Sequence, residues 1–344
     1  MLELAINIVN RFPVEKLYQG PSPVERLKRL EKELQTGNEI YIKRDDLLRP
    51  LFGNKIRYIE YIFGHCKANG FDCVLHAGGA SSNYMAQLAM AGSALGIPIY
   101  ILVNGKEPDT YLGNVLIDKY FAKEVRFFST DAVTNSLEKN KFADELKSRG
   151  LNPFTIDYPI GNYLAHLGYM NCFIEIEQQV ESGSLPCIDE VFLCSGFQSY
   201  IGLETVARMV NSSTKINAFR ASIWSKSGLA RIFESQQHFL QSKIDEFTDF
   251  IGVDVDNKAF HMTDDFVGPG YGKSYPEVYQ LIRKLASLEG IFLDPIYTGK
   301  AFLGMLSYLN KKEYEGKRVL FIHTGGLINN FIDSNQSTSL LQTL

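Results

Sequence analysis

The fold class is decided by residues 73–103, which read CVLHAGGASSNYMAQLAMAGSALGIPIYILV. Residues 73–77 and 97–103 are short, continuously apolar runs of the kind that form strands buried on both faces. Between them, Met85, Leu88 and Leu95 recur at the spacing of one helix face. Two buried strands joined by a helix form a βαβ unit. This segment therefore predicts a parallel sheet covered by helices on both faces.

The same alternation continues on both sides of this unit. Upstream, Ile56, Ile59 and Phe63 recur at helical spacing. The rhythm restarts after Tyr163, which predicts an α/β protein with two open, twisted, mostly parallel sheets and a boundary near residues 159–165. Further helices are predicted at 111–122, 135–149, 163–182, 228–243 and 276–288, and further strands at 124–129, 153–158, 190–194, 215–222 and 318–323.

Length and composition narrow the class of protein. A chain of 344 residues is long enough for about two domains. Its 35 Lys and Arg against 39 Asp and Glu leave a net charge of −4, without the basic surplus of a nucleic-acid binder. We expect no membrane segment or signal peptide, because the apolar runs are short and the N-terminus lacks a basic region. The five cysteines have no metal-ligand spacing, so we expect buried thiols, no metal site and a cytoplasmic location.

Ligands of open α/β sheets bind beyond the carboxyl ends of the strands, so the loops at 78–83, 195–202 and 324–330 are candidate sites. In the first loop, Ser82 and Asn83 are good N-caps of the following helix. The same helix N-terminus could instead bind an anion such as a carboxylate or a phosphate. The residues alone leave both interpretations open.

Lys55, the loop at 194–203 and two tyrosines are further candidate site features. Lys55 follows Gly53 and Asn54 and opens a helix, where it is either an exposed surface lysine or a desolvated amine nucleophile. Residues 194–203, CSGFQSYIGL, lie where a phosphate cradle belongs, although two glycines are a weak signal. Tyr271 and Tyr297 lie among small residues, which is compatible with packing or with a site.

These motifs occur in a recognisable order along nearly the whole chain. The chain resembles the family of 1-aminocyclopropane-1-carboxylate deaminases and D-cysteine desulfhydrases, which are pyridoxal-phosphate enzymes of the tryptophan synthase β-like fold, fold type II. The resemblance rests on PSPVERL at 21–27, IYIKRDDL at 40–47, GNK at 53–55 with Arg57, Ser82-Asn83 with Gln87, Gly161-Asn162 with LGY at 167–169, GYG at 270–272, LDPIYTGKA at 293–301 and HTGG at 323–326.

The resemblance implies a domain organisation and a role for each motif. A smaller α/β domain, residues 52–165, would be inserted into a large cofactor-binding domain formed by 1–51 and 166–344. Pyridoxal 5'-phosphate would be the cofactor, a small amino acid the substrate and a homodimer the assembly, without nucleic-acid or membrane partners. The implied catalytic residues are Lys55, which forms the Schiff base with the cofactor, Ser82 near the substrate carboxylate, and Tyr271 and Tyr297. The implied cofactor-binding residues are Lys55, Asn83 at the ring hydroxyl, Ser195, Gly196, Gln198, Ser199 and Gly202 at the phosphate, and Thr298 and Thr324 near the pyridine nitrogen.

Departures from the family pattern shape the expected reaction. The ring-opening deaminases carry a glutamate where this chain has Thr298, so the resemblance favours α,β-elimination of the D-cysteine desulfhydrase type. Ring opening, β-replacement, racemisation and a non-catalytic relic of the fold remain as alternatives. Phe197 and Gln198 replace phosphate-loop glycines, so we expect Phe197 to point into the core and the phosphate to meet a helix beginning near Ile201.

Overall fold

The computed structural model describes residues 1–50, 53–128, 132–157 and 159–331. Phe52, Ser129, Tyr158 and the tail from 332, which enter the predictions above, lie outside the described residues. The strands are β1 Val24–Arg26, β2 Glu39–Lys43, β3 Cys73–Gly79, β4 Ile99–Asn104, β5 Glu124–Phe128, β6 Pro153–Thr155, β7 Glu190–Cys194, β8 Lys215–Phe219, β9 His261–Thr263 and β10 Arg318–Ile322. The helices are α1 Leu2–Val9, α2 Lys28–Leu34, α3 Ile56–Ala68, α4 Asn83–Leu95, α5 Gly113–Phe121, α6 Ala132–Ser148, α7 Ile160–Glu181, α8 Gln198–Met209, α9 Gln236–Ile251, α10 Pro276–Glu289 and α11 Thr298–Leu309.

The strands form two sheets, one with the order β1-β2-β10-β7-β8-β9 and one with the order β5-β4-β3-β6. Only the β1–β2 pair is antiparallel among the described strand pairs. The predicted βαβ unit is present, because β3 and β4 pair in parallel with Val74 opposite Ile99 and α4 connects them. The α/β fold class with mostly parallel sheets is confirmed.

The six-stranded sheet takes strands from before and after residues 73–155, which contain all four strands of the smaller sheet. A single cut near 159–165 does not describe this connectivity, because β1 and β2 pair with strands that follow the smaller sheet. The connectivity supports an inserted smaller domain. Its limits at 52 and 165 stay a prediction.

A shared apolar layer joins the two sheets. Ile101 of the smaller sheet and Leu193 of the larger sheet belong to one buried cluster, together with Ile59 of α3, Leu167 of α7 and Leu203 of α8. These helices therefore place apolar side chains in the same buried cluster as strands of both sheets. The layer fixes the N-termini of α3 and α8, which position the site described below.

Some predicted bounds differ from the structure. The strands predicted at 153–158 and 215–222 end at Thr155 and Phe219. The helix predicted at 228–243 is a short 3₁₀ turn at Gly228–Arg231 followed by α9, because Ser235 caps a new helix through its Oγ, 3.1 Å from the His238 amide. The helix expected near Ile201 begins at Gln198 instead.

Two whole-chain expectations concern membranes and thiols. In the described part of the chain, no helix combines the length and the apolar character that crossing a bilayer requires. Four cysteines are buried free thiols, whereas Cys187 is exposed, so the expectation of buried thiols is wrong at that position.

Candidate active site

The carboxyl ends of β3, β7 and β10 surround one cavity of about 180 Å³. In the larger sheet, β10 lies between β2 and β7, and in the smaller sheet β3 lies between β4 and β6. In open α/β sheets the crevice beyond the carboxyl ends of such strands is where ligands bind. The cavity is lined by Asn54, Lys55, Ser82, Asn83, Tyr84, Cys194, Ser195, Gly196, Gln198, Ser199, Ala221, Ser222, Tyr271, Tyr297 and Thr324.

Lys55 lies at the N-terminus of α3, on a loop tied to the end of β10. The Asn54 amide donates to the Thr324 carbonyl at 3.2 Å, and Gly53 forms an antiparallel bridge with Gly325. The Lys55 Nζ lies 4.8 Å from the centre of the Tyr58 ring. Burial lowers the pKa of Lys55 to about 8. A useful fraction of this amine is therefore neutral, and nucleophilic, near neutral pH.

Ser82 and Asn83 meet the cavity at the N-terminus of α4. Ser82 is the N-cap, and its Oγ accepts a long hydrogen bond from the Met85 amide at 3.4 Å. Because the hydroxyl accepts in this contact, its own hydrogen remains available to donate into the cavity. Capping and ligand contact, which the sequence left as alternatives, are thus compatible in one side chain. Asn83 is the first helical residue, and its Oδ1 accepts from Asn114 Nδ2 at 2.9 Å.

The N-terminus of α8 forms the opposite wall. The N-cap residue of this 12-residue helix, Phe197, makes no side-chain capping bond, whereas Ser195 Oγ accepts a hydrogen bond from the Tyr200 amide at 3.3 Å and lies 3.0 Å from Ser199 Oγ. The amides of the first turn and the helix dipole favour an anion here. Phe197 adopts φ −175°, an extended conformation open to any residue, and its ring packs against Phe239 with 5.1 Å between centroids. The expected inward orientation of Phe197 is confirmed.

Two tyrosines close the cavity on the remaining side. Their hydroxyl oxygens, on Tyr271 and Tyr297, lie 2.6 Å apart and share a hydrogen bond. Tyr271 is 48% exposed, so it stands at the mouth of the cavity. Burial, assisted by the neighbouring Tyr271, raises the pKa of Tyr297 well above its usual value. Tyr297 is therefore protonated at neutral pH, and its hydroxyl can donate a proton inward.

Two residues of the predicted site lie outside the cavity wall. Gly202 lies where α8 crosses α7, because a Cβ there would collide with the His166 carbonyl and Tyr169. The Thr298 hydroxyl donates to Asp294 Oδ1 at 2.7 Å and accepts from the Asp294 amide at 2.8 Å. Gly202 therefore permits close helix packing, and Thr298 contacts Asp294. The other predicted site residues all line the cavity.

Sequence reasoning missed a polar chain beside the cavity. Asp294 accepts hydrogen bonds from the amides of Tyr297 and Thr298 and from Asn329 Nδ2. Asn329 Oδ1 in turn accepts from Asn114 Nδ2, which also contacts Asn83. No local pattern marks Asn114, and Asn329 lies in the candidate loop 324–330 without a pattern of its own.

Arg57, on the turn that follows Lys55, has a structural environment. Its guanidinium is fully buried and bonds both carboxylate oxygens of Asp45, at 2.7 and 2.8 Å, and both of Glu175, at 2.8 and 2.9 Å. Although burial raises it, Arg57 and Lys43 together hold the pKa of Glu175 at about 2. This cluster anchors the start of α3 and thereby the position of Lys55.

The lining residues fit pyridoxal phosphate. The group needs an amine for its aldehyde, an anion site for its phosphate and a donor for its ring hydroxyl. Lys55, the N-terminus of α8 and the Asn83 amide supply these three features on three walls of one cavity. A larger cavity of about 780 Å³ lies between α1 and α7 and has no buried amine of this kind on its wall. The described residues also hold no cluster of metal-ligating side chains.

Comparison with known proteins agrees with this fit. The family model described as "Pyridoxal-phosphate dependent enzyme" matches residues 15–325. A putative 1-aminocyclopropane-1-carboxylate deaminase of Pyrococcus abyssi is 32% identical over 341 residues, covering 97% of this chain and 98% of that protein. A D-cysteine desulfhydrase of Klebsiella pneumoniae is 31% identical over 333 residues, covering 94% of this chain and 97% of that protein. The crystal structure of a homologue of 1-aminocyclopropane-1-carboxylate deaminase superposes with a TM-score of 0.86 at 30% identity, over 98% of each chain.

Proposed function

Because this chain belongs to the family of pyridoxal-phosphate dependent enzymes, we propose that it is a lyase that eliminates a β leaving group from a small amino acid. D-cysteine is the proposed substrate, by similarity to the desulfhydrase relatives. The observation that carries the proposal is the single cavity in which the Lys55 amine faces the N-terminus of α8 and the tyrosine pair. Relatives named as putative 1-aminocyclopropane-1-carboxylate deaminases make ring opening of that amino acid the second candidate.

The cofactor would be held from three sides. Lys55 binds its aldehyde, and Asn83 donates to its ring hydroxyl. The N-terminus of α8 would hold the phosphate, with Ser195 and Ser199 adding hydroxyl donors to the backbone amides of Gly196 and Gln198. Thr324, which also lines the cavity, would face the ring nitrogen. When bound, the cofactor withdraws electrons from the α-carbon of the substrate.

The remaining residues bind the substrate and move protons. Ser82 and the N-terminus of α4 hold the substrate carboxylate, because free amides and a hydroxyl donor favour an anion there. The Lys55 amine accepts the proton from the α-carbon. The Tyr271–Tyr297 pair donates a proton to the departing sulfur. D-cysteine and water then yield pyruvate, ammonia and hydrogen sulfide.

We also propose a cytoplasmic homodimer. The cytoplasmic location is supported by five free cysteines, four of them buried, which persist in a reducing compartment. The dimer rests on the family resemblance alone. Sedimentation of the purified protein tests it, with a single species of twice the 38.8 kDa chain mass as the expected result.

The experiment that tests the activity is a product assay with a substrate panel. Protein purified with pyridoxal phosphate is incubated separately with D-cysteine, L-cysteine, D-serine and 1-aminocyclopropane-1-carboxylate, with a Lys55→Ala variant as control. We expect pyruvate and sulfide from D-cysteine and no product from the variant. 2-Oxobutanoate from the cyclopropane alone would establish the second candidate. No product from any amino acid would refute the proposed elimination.

A further inference from the structure

Asn83 is held by a chain of amides that reaches the far wall of the cavity. Asn114, in the first turn of α5, is buried, and its Nδ2 donates to Asn83 Oδ1 at 2.9 Å. The same nitrogen lies 3.1 Å from the Ser81 carbonyl and 3.2 Å from Asn329 Oδ1. Asn329 Nδ2 then donates to Asp294 Oδ2 at 3.1 Å. The chain therefore connects the helix that carries Asn83 with the turn that carries Tyr297.

Hydrogen-bond acceptors at both ends fix which way the side-chain amides of Asn329 and Asn114 are turned. The backbone amides of Ile296, Tyr297 and Thr298 all donate to the Asp294 carboxylate, which leaves it an acceptor for Asn329. Asn329 must then turn its oxygen toward Asn114. The Ser81 carbonyl, another obligate acceptor, independently requires the nitrogen of Asn114 on this side.

These orientations determine where the Nδ2 group of Asn83 points. Since Asn114 donates, Asn83 must present its oxygen to α5 and its Nδ2 group away from α5. We propose that Asn114 and Asn329 are positioning residues that hold the Asn83 Nδ2 donor toward the cofactor's ring oxygen. This inference rests on the proposed function, in which Asn83 contacts the cofactor.

A contribution to stability does not by itself explain why an asparagine occupies position 114. Its Oδ1 is buried and has no hydrogen-bond partner among the described residues. A buried carbonyl oxygen without a hydrogen-bond partner lowers the free energy of unfolding. An apolar side chain in this space would not carry that cost. The donor side of Asn114, which contacts Asn83, accounts for its presence.

The test is a double-mutant cycle on cofactor affinity. Apoenzymes of wild type, Asn83→Ala, Asn114→Ala and the double variant are titrated with pyridoxal phosphate, and the pH midpoint of the visible absorption band is recorded for each. We expect Asn83→Ala and Asn114→Ala each to weaken binding by about 3- to 10-fold, the effect of one lost hydrogen bond. Adding Asn114→Ala to Asn83→Ala should then change neither the affinity nor the pH midpoint, because Asn114 acts through Asn83.

Further variants separate positioning from general loss of structure. Asn329→Ala should reproduce the effect of Asn114→Ala and serves in its place if that variant does not fold. Asn330→Ala removes bonds from the same turn to the Leu293 and Leu327 carbonyls without touching the amide chain, and should leave the pH midpoint unchanged.

The possible failures are distinguishable. Equal effects of Asn114→Ala with and without Asn83 would overturn the positioning role. An Asn83→Ala variant with unchanged affinity would also overturn it, while leaving the proposed reaction to its own assay. A wild-type protein that binds no pyridoxal phosphate would refute the proposed function and this inference together.

Discussion

Lys55 gives the sharpest quantitative expectation, because burial lowers its pKa to about 8. At pH 8 about half of these amines are neutral, against about 0.3% of an ordinary lysine with a pKa near 10.5. The Tyr58 ring, 4.8 Å from the Nζ, opposes this effect because its face stabilises the ammonium form. Tyr58→Leu keeps the site apolar and removes the ring. It should lower the pKa further, by about 0.4 to 1.5 pH units if the contact contributes about 0.5 to 2 kcal/mol.

Competitive labelling measures this pKa directly. Apoenzyme is exposed to a trace of acetic anhydride at a series of pH values, and the acetylated peptides are quantified by mass spectrometry. Lys67, whose side chain is 73% exposed, is the internal reference for reagent reactivity. We expect the labelling of Lys55 to rise with a midpoint near pH 8, and Tyr58→Leu to move that midpoint downward.

Two results would refute the reasoning. A Lys55 midpoint equal to that of an ordinary lysine would show that burial does not govern its titration. An upward movement in Tyr58→Leu would show that the ring does not stabilise the ammonium form.

Three further expectations concern cofactor affinity, stability and pH. Ser199→Ala should weaken pyridoxal phosphate binding by about 1 to 3 kcal/mol in an apoenzyme titration, since it removes a hydroxyl beside a charged phosphate; unchanged affinity would place the phosphate elsewhere. Arg57→Met should lower the free energy of unfolding in urea by about 3 to 5 kcal/mol, because it leaves the buried Asp45 carboxylate without its ion-pair partner. Arg26→Met, which removes a partly exposed ion pair, is the matched control at about 1 kcal/mol or less, and equal losses would contradict the role of burial. Burial raises the pKa of Asp118 to about 8, so its contribution to stability is complete below its unfolded pKa of about 4 and is lost as the pH rises through about 8. Asp118→Asn should therefore reduce the loss of stability between about pH 4 and pH 8, and an unchanged slope would show that Asp118 does not titrate in this range.

Most of the fold could be predicted from local sequence patterns. The βαβ unit at 73–103 was predictable because strand and helix periodicity are properties of neighbouring residues. The same holds for Lys55 and Ser82, which open helices directly after strands or turns. The prediction for 228–243 was wrong because its apolar spacing continues across Ser235, where a new N-cap starts α9.

Contacts between distant residues could not be predicted in this way. Asn114 and Asn329 are 215 positions apart, and only the packing of α5 against the final turn brings their side chains together. The hydrogen bond of the Thr298 hydroxyl was also not predictable. Its partner Asp294 is near in sequence, but the orientation of both side chains depends on the turn that precedes α11. The sequence also could not show how Phe197 fits a loop where glycines are expected. In the structure its φ is −175°, and its ring packs in an aromatic cluster with Phe239.

The central claim is that Lys55 binds pyridoxal phosphate covalently within the cavity between the two sheets. Borohydride reduction of the loaded protein, followed by proteolysis and mass spectrometry, locates the attached pyridoxyl group. We expect one group per chain, on the peptide that contains Lys55, and none in a folded Lys55→Ala variant. A group on any other lysine, or a wild-type protein that carries none after loading, would contradict the account.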